Sequence, residues 1–195
     1  MHNYSIDVDN YTTIMWFITM GSALLIVFIN IFIFPVLGIT GDNIYSQLIG
    51  LFLSSIISFG GIFSLFDKYL WKVPLINSWI KCPNISGKWV GTIENPDYDP
   101  ISTEVLIKQT WTKININLRT ETADSDTEAL AFSVENYENP RLKYIYYNTS
   151  ETTNLKAHGG TGKLEFLKND NILKGEYYTD KHRSNHGKIC LKRIK

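Results

Sequence analysis

TTIMWFITMGSALLIVFINIFIFPVLGI, Thr12 to Ile39, is the stretch on which the reading of this fold turns. No residue from Asn10 to Gly41 carries a formal charge, and the run exceeds the roughly 20 apolar residues a helix needs to cross a bilayer. Pro35 is expected to kink this helix or to end it, because it removes a backbone donor and crowds the preceding turn. Thr40 to Asn43, TGDN, then reads as a turn. A second uncharged run, Asn43 to Phe66, is long enough to return across the bilayer. The chain therefore reads as a membrane protein with a two-helix hairpin in residues 1–66, its spans at about 12–39 and 43–66.

The second span is less apolar than the first. It carries Ser46, Gln47, Ser54, Ser55, Ser58 and Ser64 with Gly50, Gly60 and Gly61, which suit contact with another helix better than contact with lipid. Gly50, Ser54 and Ser58 recur every four residues and so share one helix face, the small-xxx-small pattern of close backbone approach. Packing inside the hairpin and packing between subunits both satisfy that pattern. A cleaved signal peptide fits poorly, since the first run has no basic n-region, is too long, and is followed at once by a second span.

Charge sets the orientation. The chain has nineteen Lys and Arg against nineteen Asp and Glu, a neutral total. All nineteen bases lie at or after Lys68, whereas residues 1–67 carry only Asp7, Asp9, Asp42 and Asp67, so the remainder has a balance of +4. Lys68 and Lys72 directly after the second span place the C-terminal side in the cytoplasm by the positive-inside rule, and an even number of spans brings the N-terminus there too. Tyr11, Trp16, Tyr69 and Trp71 are then expected in one interfacial belt. Residues 67–83 read as a juxtamembrane linker lying along the headgroups.

After Asn84 the pattern changes to short alternating runs. In KININLRTE, Lys113 to Glu121, Ile114, Ile116 and Leu118 face one way while Lys113, Asn115, Asn117 and Arg119 face the other, the period of a strand wet on one side. Further strands are expected at Ser86–Glu94, Ser102–Thr110, Thr127–Glu135, Leu142–Thr149, Gly160–Leu167, Ile172–Thr179 and Gly187–Ile194. Between them lie ENPDYDP, ETADSDT, NYENP, SETTN, KNDN and DKHRSN, all of turn composition. Eight strands with hairpin-length connections predict an all-β domain in residues 84–195, an antiparallel up-and-down barrel whose interior is filled by side chains or holds one small ligand. In SGKWVGTI, Gly87, Trp89, Gly91 and Ile93 share a face. Trp89 either plugs one end of the barrel or offers a stacking surface.

Catalytic motifs were sought without success. The chain has no GxSxG, HExxH, GxxxxGK[ST] or kinase signature. GGTG at Gly159 to Gly162 lacks the Lys and helix of a phosphate loop and reads as close packing or a bulge. His182 and His186 have a metal-like spacing but fall in a hairpin loop, and Cys82 and Cys190 lie far apart with no CxxC partner, so neither metal nor cofactor is expected. The richer segment is GEYYTDKHRSNHG, Gly175 to Gly187: Tyr177 and Thr179 share a face, and Arg183 sits in the turn beside Lys181 and His182. Aromatic rings stack on nucleobases and Arg or Lys pairs with phosphate, although a solvated basic turn has the same composition.

The layout resembles the two-transmembrane β-barrel effectors of bacterial CBASS anti-phage defence, the CD-NTase-associated protein 15 family. The resemblance covers nearly the whole chain and rests on the order of its parts: twin spans, a short linker, the opening strand ISGKWVGTI and the closing hairpin LKGEYYTDKHRSNHGKICLKR. It implies that a cyclic dinucleotide, made by a partner nucleotidyltransferase on phage infection and 3′,3′-linked, binds the barrel. It further implies that the protein then forms homo-oligomers in the bacterial inner membrane, among its lipids, and disrupts it. With that ligand in mind, strand parity nominates Trp89, Tyr144, Tyr146, Tyr177, Thr179 and Arg183 as ligand contacts, and Gly50, Ser54 and Ser58 as oligomer contacts. No enzymatic activity and no DNA or RNA partner is expected. The alternative is a membrane-anchored lipocalin-like carrier of a lipid or other apolar molecule.

Overall fold

The computed structural model describes residues 1–6, 10–38, 43–121, 123–134, 139–150, 157–181 and 185–194. The chain falls into two compact units, Asp9–Ile80 and, together, Met1–Val8 with Lys81–Lys195.

The first unit is helical. Helix α1 (Tyr11–Phe28) passes into a π-helical stretch, Ile29–Ile33, and on into α2 (Phe34–Val36). Pro35 lies just beyond the wide π turn, which takes up the loss of its backbone donor without breaking the helix. The helix ends at Gly38, whose φ of 65° is the left-handed conformation that stops a helix at little cost in glycine. Of the expected turn, only Asn43 is among the described residues; it caps α3 (Ile44–Lys68) by accepting from Ser46 N at 2.8 Å. A 3₁₀ turn (Leu70–Lys72) and α4 (Pro74–Ile80) follow. Tyr11–Val36 and Ile44–Lys72 are both long and apolar enough to cross a bilayer.

Ile14, Ile18 and Ser22 of α1 are buried, as are Gly50, Ser54 and Ser58 of α3. Asn30 in the π turn donates Nδ2 to Ser54 Oγ at 2.9 Å, and a Cβ on Gly50 would stand 3.3 Å from the Phe34 ring. The small-residue face is thus occupied within one chain. The side chains that meet it, Asn30 and Phe34, come from the first helix and its continuation. Trp71 also departs from the expected belt. It is wholly buried, whereas Tyr11, Trp16 and Tyr69 are exposed.

The second unit is a closed barrel. Strands β3 (Gly87–Asn95), β4 (Tyr98–Gln109), β5 (Lys113–Arg119), β6 (Ala123–Ser133), β7 (Arg141–Ser150), β8 (His158–Leu167), β9 (Ile172–Thr179) and β10 (His186–Ile194) each pair antiparallel with the next, and β10 pairs β3. Closure leaves no free edge among these eight. Strand β4 starts at Tyr98, inside a stretch read as turn, because the reversal at Pro96 and Asp97 is tight and Asp97 N donates to Asn95 Oδ1 at 2.8 Å. Strand β6 starts at Ala123 for the same kind of reason, Thr120 Oγ1 accepting from Ala123 N at 3.1 Å.

The seam between β5 and β6 is short, running only from Asn117, Leu118 and Arg119 to Asp126, Ser125 and Asp124. Elsewhere the N-terminus fills it. Strand β1 (His2–Asn3) pairs antiparallel with Ile114 and Lys113, and β2 (Ser5–Ile6) pairs parallel with Ala131 and Phe132. Tyr4 between them meets Phe132 edge-on at 5.8 Å and donates to Thr110 O at 3.3 Å. Residues 2–6, read from sequence as part of the hairpin region, are therefore an extra strand of the barrel wall.

This end of the barrel is solid. Trp89 is fully buried and donates Nε1 to Ile85 O at 2.9 Å, with the Arg193 guanidinium 4.6 Å from its ring centre. Gln109 accepts from Ile85 N and donates to Pro83 O. Neither cysteine is in a disulfide: Cys190 is exposed, whereas burial pushes the Cys82 thiol up to about 12 despite the hydrogen bond with Tyr4.

Candidate functional site: a cavity at the far mouth of the barrel

The opposite end is hollow. A cavity of about 160 Å³ lies between the ends of β3, β5, β7 and β9 and the starts of β4, β6, β8 and β10. Ile93, Ile101, Ile116, Leu118, Ala123 and Ile189 line it with apolar surface. Asn95, Thr120, Ser125, Asn148, His158, Thr179 and Asn185 sit at strand tips and make its mouth polar.

Three tyrosines complete the wall, and glycines explain why they leave it hollow. Tyr144 pairs with Gly162, Tyr146 with Gly160 and Tyr177 with Gly187 across neighbouring strands. A Cβ at any of these glycines would collide with the facing tyrosine ring. Each ring therefore lies along the sheet over a residue with no side chain, rather than filling the barrel axis. This is the close packing read from GGTG. The Tyr144 and Tyr146 ring centres are 5.9 Å apart. Burial, reinforced by Tyr146, raises the Tyr144 hydroxyl well above its ordinary value, so it stays neutral at physiological pH.

The mouth is held by amides and hydroxyls. Asn95 Nδ2 donates to Tyr177 Oη at 3.0 Å and to Asn185 Oδ1 at 2.6 Å. Thr179 Oγ1 accepts from Asn185 N at 2.7 Å, fixing the base of the last hairpin. Asn148 Nδ2 donates to Ser125 Oγ at 2.6 Å, while its Oδ1 is buried with no partner among the described residues. No Lys, Arg, Asp or Glu is among the described lining residues. Among the described residues the site presents stacking surface and hydrogen-bonding edges rather than charge.

Tyr144, Tyr146, Tyr177 and Thr179, nominated from strand parity, all line this cavity. Trp89 does not. It shares their inward parity but lies at the solid end, where its indole is consumed by core packing. Arg183 lies outside the described residues. Asn95, Ser125, Thr127, Asn148 and His158 were missed because, Thr179 apart, the nominated residues were aromatic rings and an arginine. Continuing the Tyr144 and Tyr146 parity by one step would have reached Asn148. Parity would have failed for β6, where a bulge between Thr127 and Ala129 puts Ser125 and Thr127 on the same face as Leu130 and Phe132.

A hollow receptor-like barrel with helices at one end of its sequence has a counterpart among known families. The profile described as "Cap15, cyclic dinucleotide receptor domain" matches residues 80–193. The chain belongs to the Cap15 family. It is similar to CD-NTase-associated protein 15 of Yersinia aleksiciae, with 28% identity over 148 residues, 72% of this chain and 71% of the relative. Membership makes the barrel a CBASS-associated cyclic dinucleotide receptor domain, and the Cap15 match begins at Ile80, where the helical unit ends.

Proposed function

We propose that this Cap15-family chain is the membrane-disrupting effector of a CBASS anti-phage system. A 3′,3′-linked cyclic dinucleotide from a partner nucleotidyltransferase enters the barrel mouth, and the liganded protein assembles in the bacterial inner membrane and breaches it, killing the infected cell. The observation that carries the reading is a receptor-family barrel with a tyrosine-lined cavity on a chain that also holds two bilayer-length apolar helices. Pairing of residues 2–6 with β5 and β6 puts the N-terminus and the barrel in one unit, which supports a hairpin with both termini on the same side. The distribution of Lys and Arg makes that side the cytoplasm.

Tyr144, Tyr146, Tyr177 and Thr179 are the proposed ligand contacts within the described site, with Arg183 as a further one from the sequence. The lipocalin-like carrier is less well supported, because the mouth is polar and about 160 Å³ is small for an acyl chain. Thermal unfolding of the full-length protein in detergent tests the reading. At about 100 times the Kd, a ligand that binds only the folded state adds about 2.7 kcal/mol of stability, visible as a raised Tm. No shift with any 3′,3′-linked cyclic dinucleotide would contradict it.

A further inference from the structure

We propose that the barrel takes in one base of the cyclic dinucleotide and leaves the second base and both phosphates outside, so that the two halves of the ligand are read unequally. The inference rests on the receptor reading above and adds to it how the ligand is divided between cavity and solvent.

Size is the first constraint. A cavity of about 160 Å³ compares with one of about 150 Å³ that holds a single benzene, and sites that enclose drug-sized molecules run from about 300 Å³ upward. Two nucleosides and two phosphates exceed it, whereas one planar base entering from the mouth does not. Charge is the second. The described lining has no Lys or Arg, and its inner part is Ile93, Ile116, Leu118 and Ile189. A phosphate placed there would lose its hydration with no cation among the described lining residues to replace it. The phosphates therefore remain at or beyond the mouth.

Shape and polarity then favour a base over other fragments. The tyrosine rings of residues 144, 146 and 177 lie along the wall over Gly162, Gly160 and Gly187 and present aromatic surface to a flat slot. Asn148 holds Ser125 with one amide atom and leaves the other buried and without a partner among the described residues. An unpaired buried polar atom is destabilising, and the hydrogen-bonding edge of an inserted base removes that cost. A base that cannot pair with it is penalised, which makes the slot selective.

Calorimetry on the full-length protein in detergent tests this with 3′,3′-linked cyclic di-AMP, di-GMP and di-UMP and their mixed-base counterparts. Take the two symmetric ligands that differ most in affinity. Insertion of one base predicts that their mixed counterpart binds within about two- to fourfold of the tighter one, having lost only one of two equivalent ways to insert. Equal reading of both bases predicts a mixed affinity at the geometric mean of the two symmetric ones, and that result would overturn the proposal. So would equal affinity for all symmetric ligands. Binding by none would sink the receptor reading itself. Gly162→Ala supplies a second arm, since the three atoms nearest its Cβ all belong to the Tyr144 side chain, which it is expected to turn into the slot. The expected loss is about tenfold in affinity for the tighter ligand. Unchanged affinity, with the ring displaced, would show that no base occupies the slot.

Discussion

Tyr144, Tyr146 and Tyr177 carry enough volume to fill the upper barrel, yet each faces a glycine across a strand pair and lies along the wall instead. Sequence reasoning reached these tyrosines because inward parity follows from alternation alone. It could not separate them from Trp89, because parity says which face a side chain takes and nothing about depth along the barrel. What separates them is the neighbour. Trp89 has Ile85 O to receive its indole N–H and Arg193 over its ring, the surroundings of a core plug. Trp89→Phe is accordingly expected to leave Ile85 O unpaired and cost the barrel about 1–3 kcal/mol, with cyclic dinucleotide affinity unchanged. Chemical denaturation and calorimetry on the same variant check both halves, and a loss of affinity at unchanged stability would return Trp89 to the binding site.

Among the elements, the eight long strands were legible because each pairs a period-two run with turn residues at its ends. Their observed bounds differ mainly where a turn is tighter than its composition implied, as at Pro96 and Asp97. The strand formed by residues 2–6 was not legible. Five residues give no usable period, and their partners, Lys113, Ile114, Ala131 and Phe132, lie more than a hundred positions away. The small-residue face of α3 was legible as a packing face, but the pattern does not name the partner. Asn30, an unusual polar residue in an apolar run, was the available clue, and it meets Ser54. Deleting residues 2–6 is predicted to leave the facing edges of β5 and β6 unpaired. Amide hydrogen exchange should then accelerate at Lys113–Ile116 and Ala129–Phe132 by about tenfold or more, while β8 and β9 keep their protection. Uniform protection in the deletion variant would show that the barrel closes without its N-terminal strand.

For the whole molecule, the two-part organisation was legible in its charge: an apolar N-terminal part without a single Lys or Arg, and a mildly basic, β-patterned remainder. Chain connectivity adds a consequence. Within the barrel unit, residues 2–6 and the lead-in around Pro83 and Ile85 both pack at the solid end, while the cavity opens at the other. Within the barrel, the short direct ladder between β5 and β6 links the two ends, since Leu118 and Ser125 line the cavity and the N-terminal strand fills the rest of that seam. Leu118 and Ser125 thus belong both to the cavity wall and to the seam that seats the start of the chain. The proposed function makes the barrel a sensor that commands a membrane lesion, and dye release from liposomes of bacterial inner-membrane lipid carrying the full-length protein, titrated with the tightest-binding cyclic dinucleotide, tests it. Release is expected to saturate at the calorimetric affinity and to shift to about tenfold higher ligand for Gly162→Ala; full ligand occupancy with the dye retained would overturn that function.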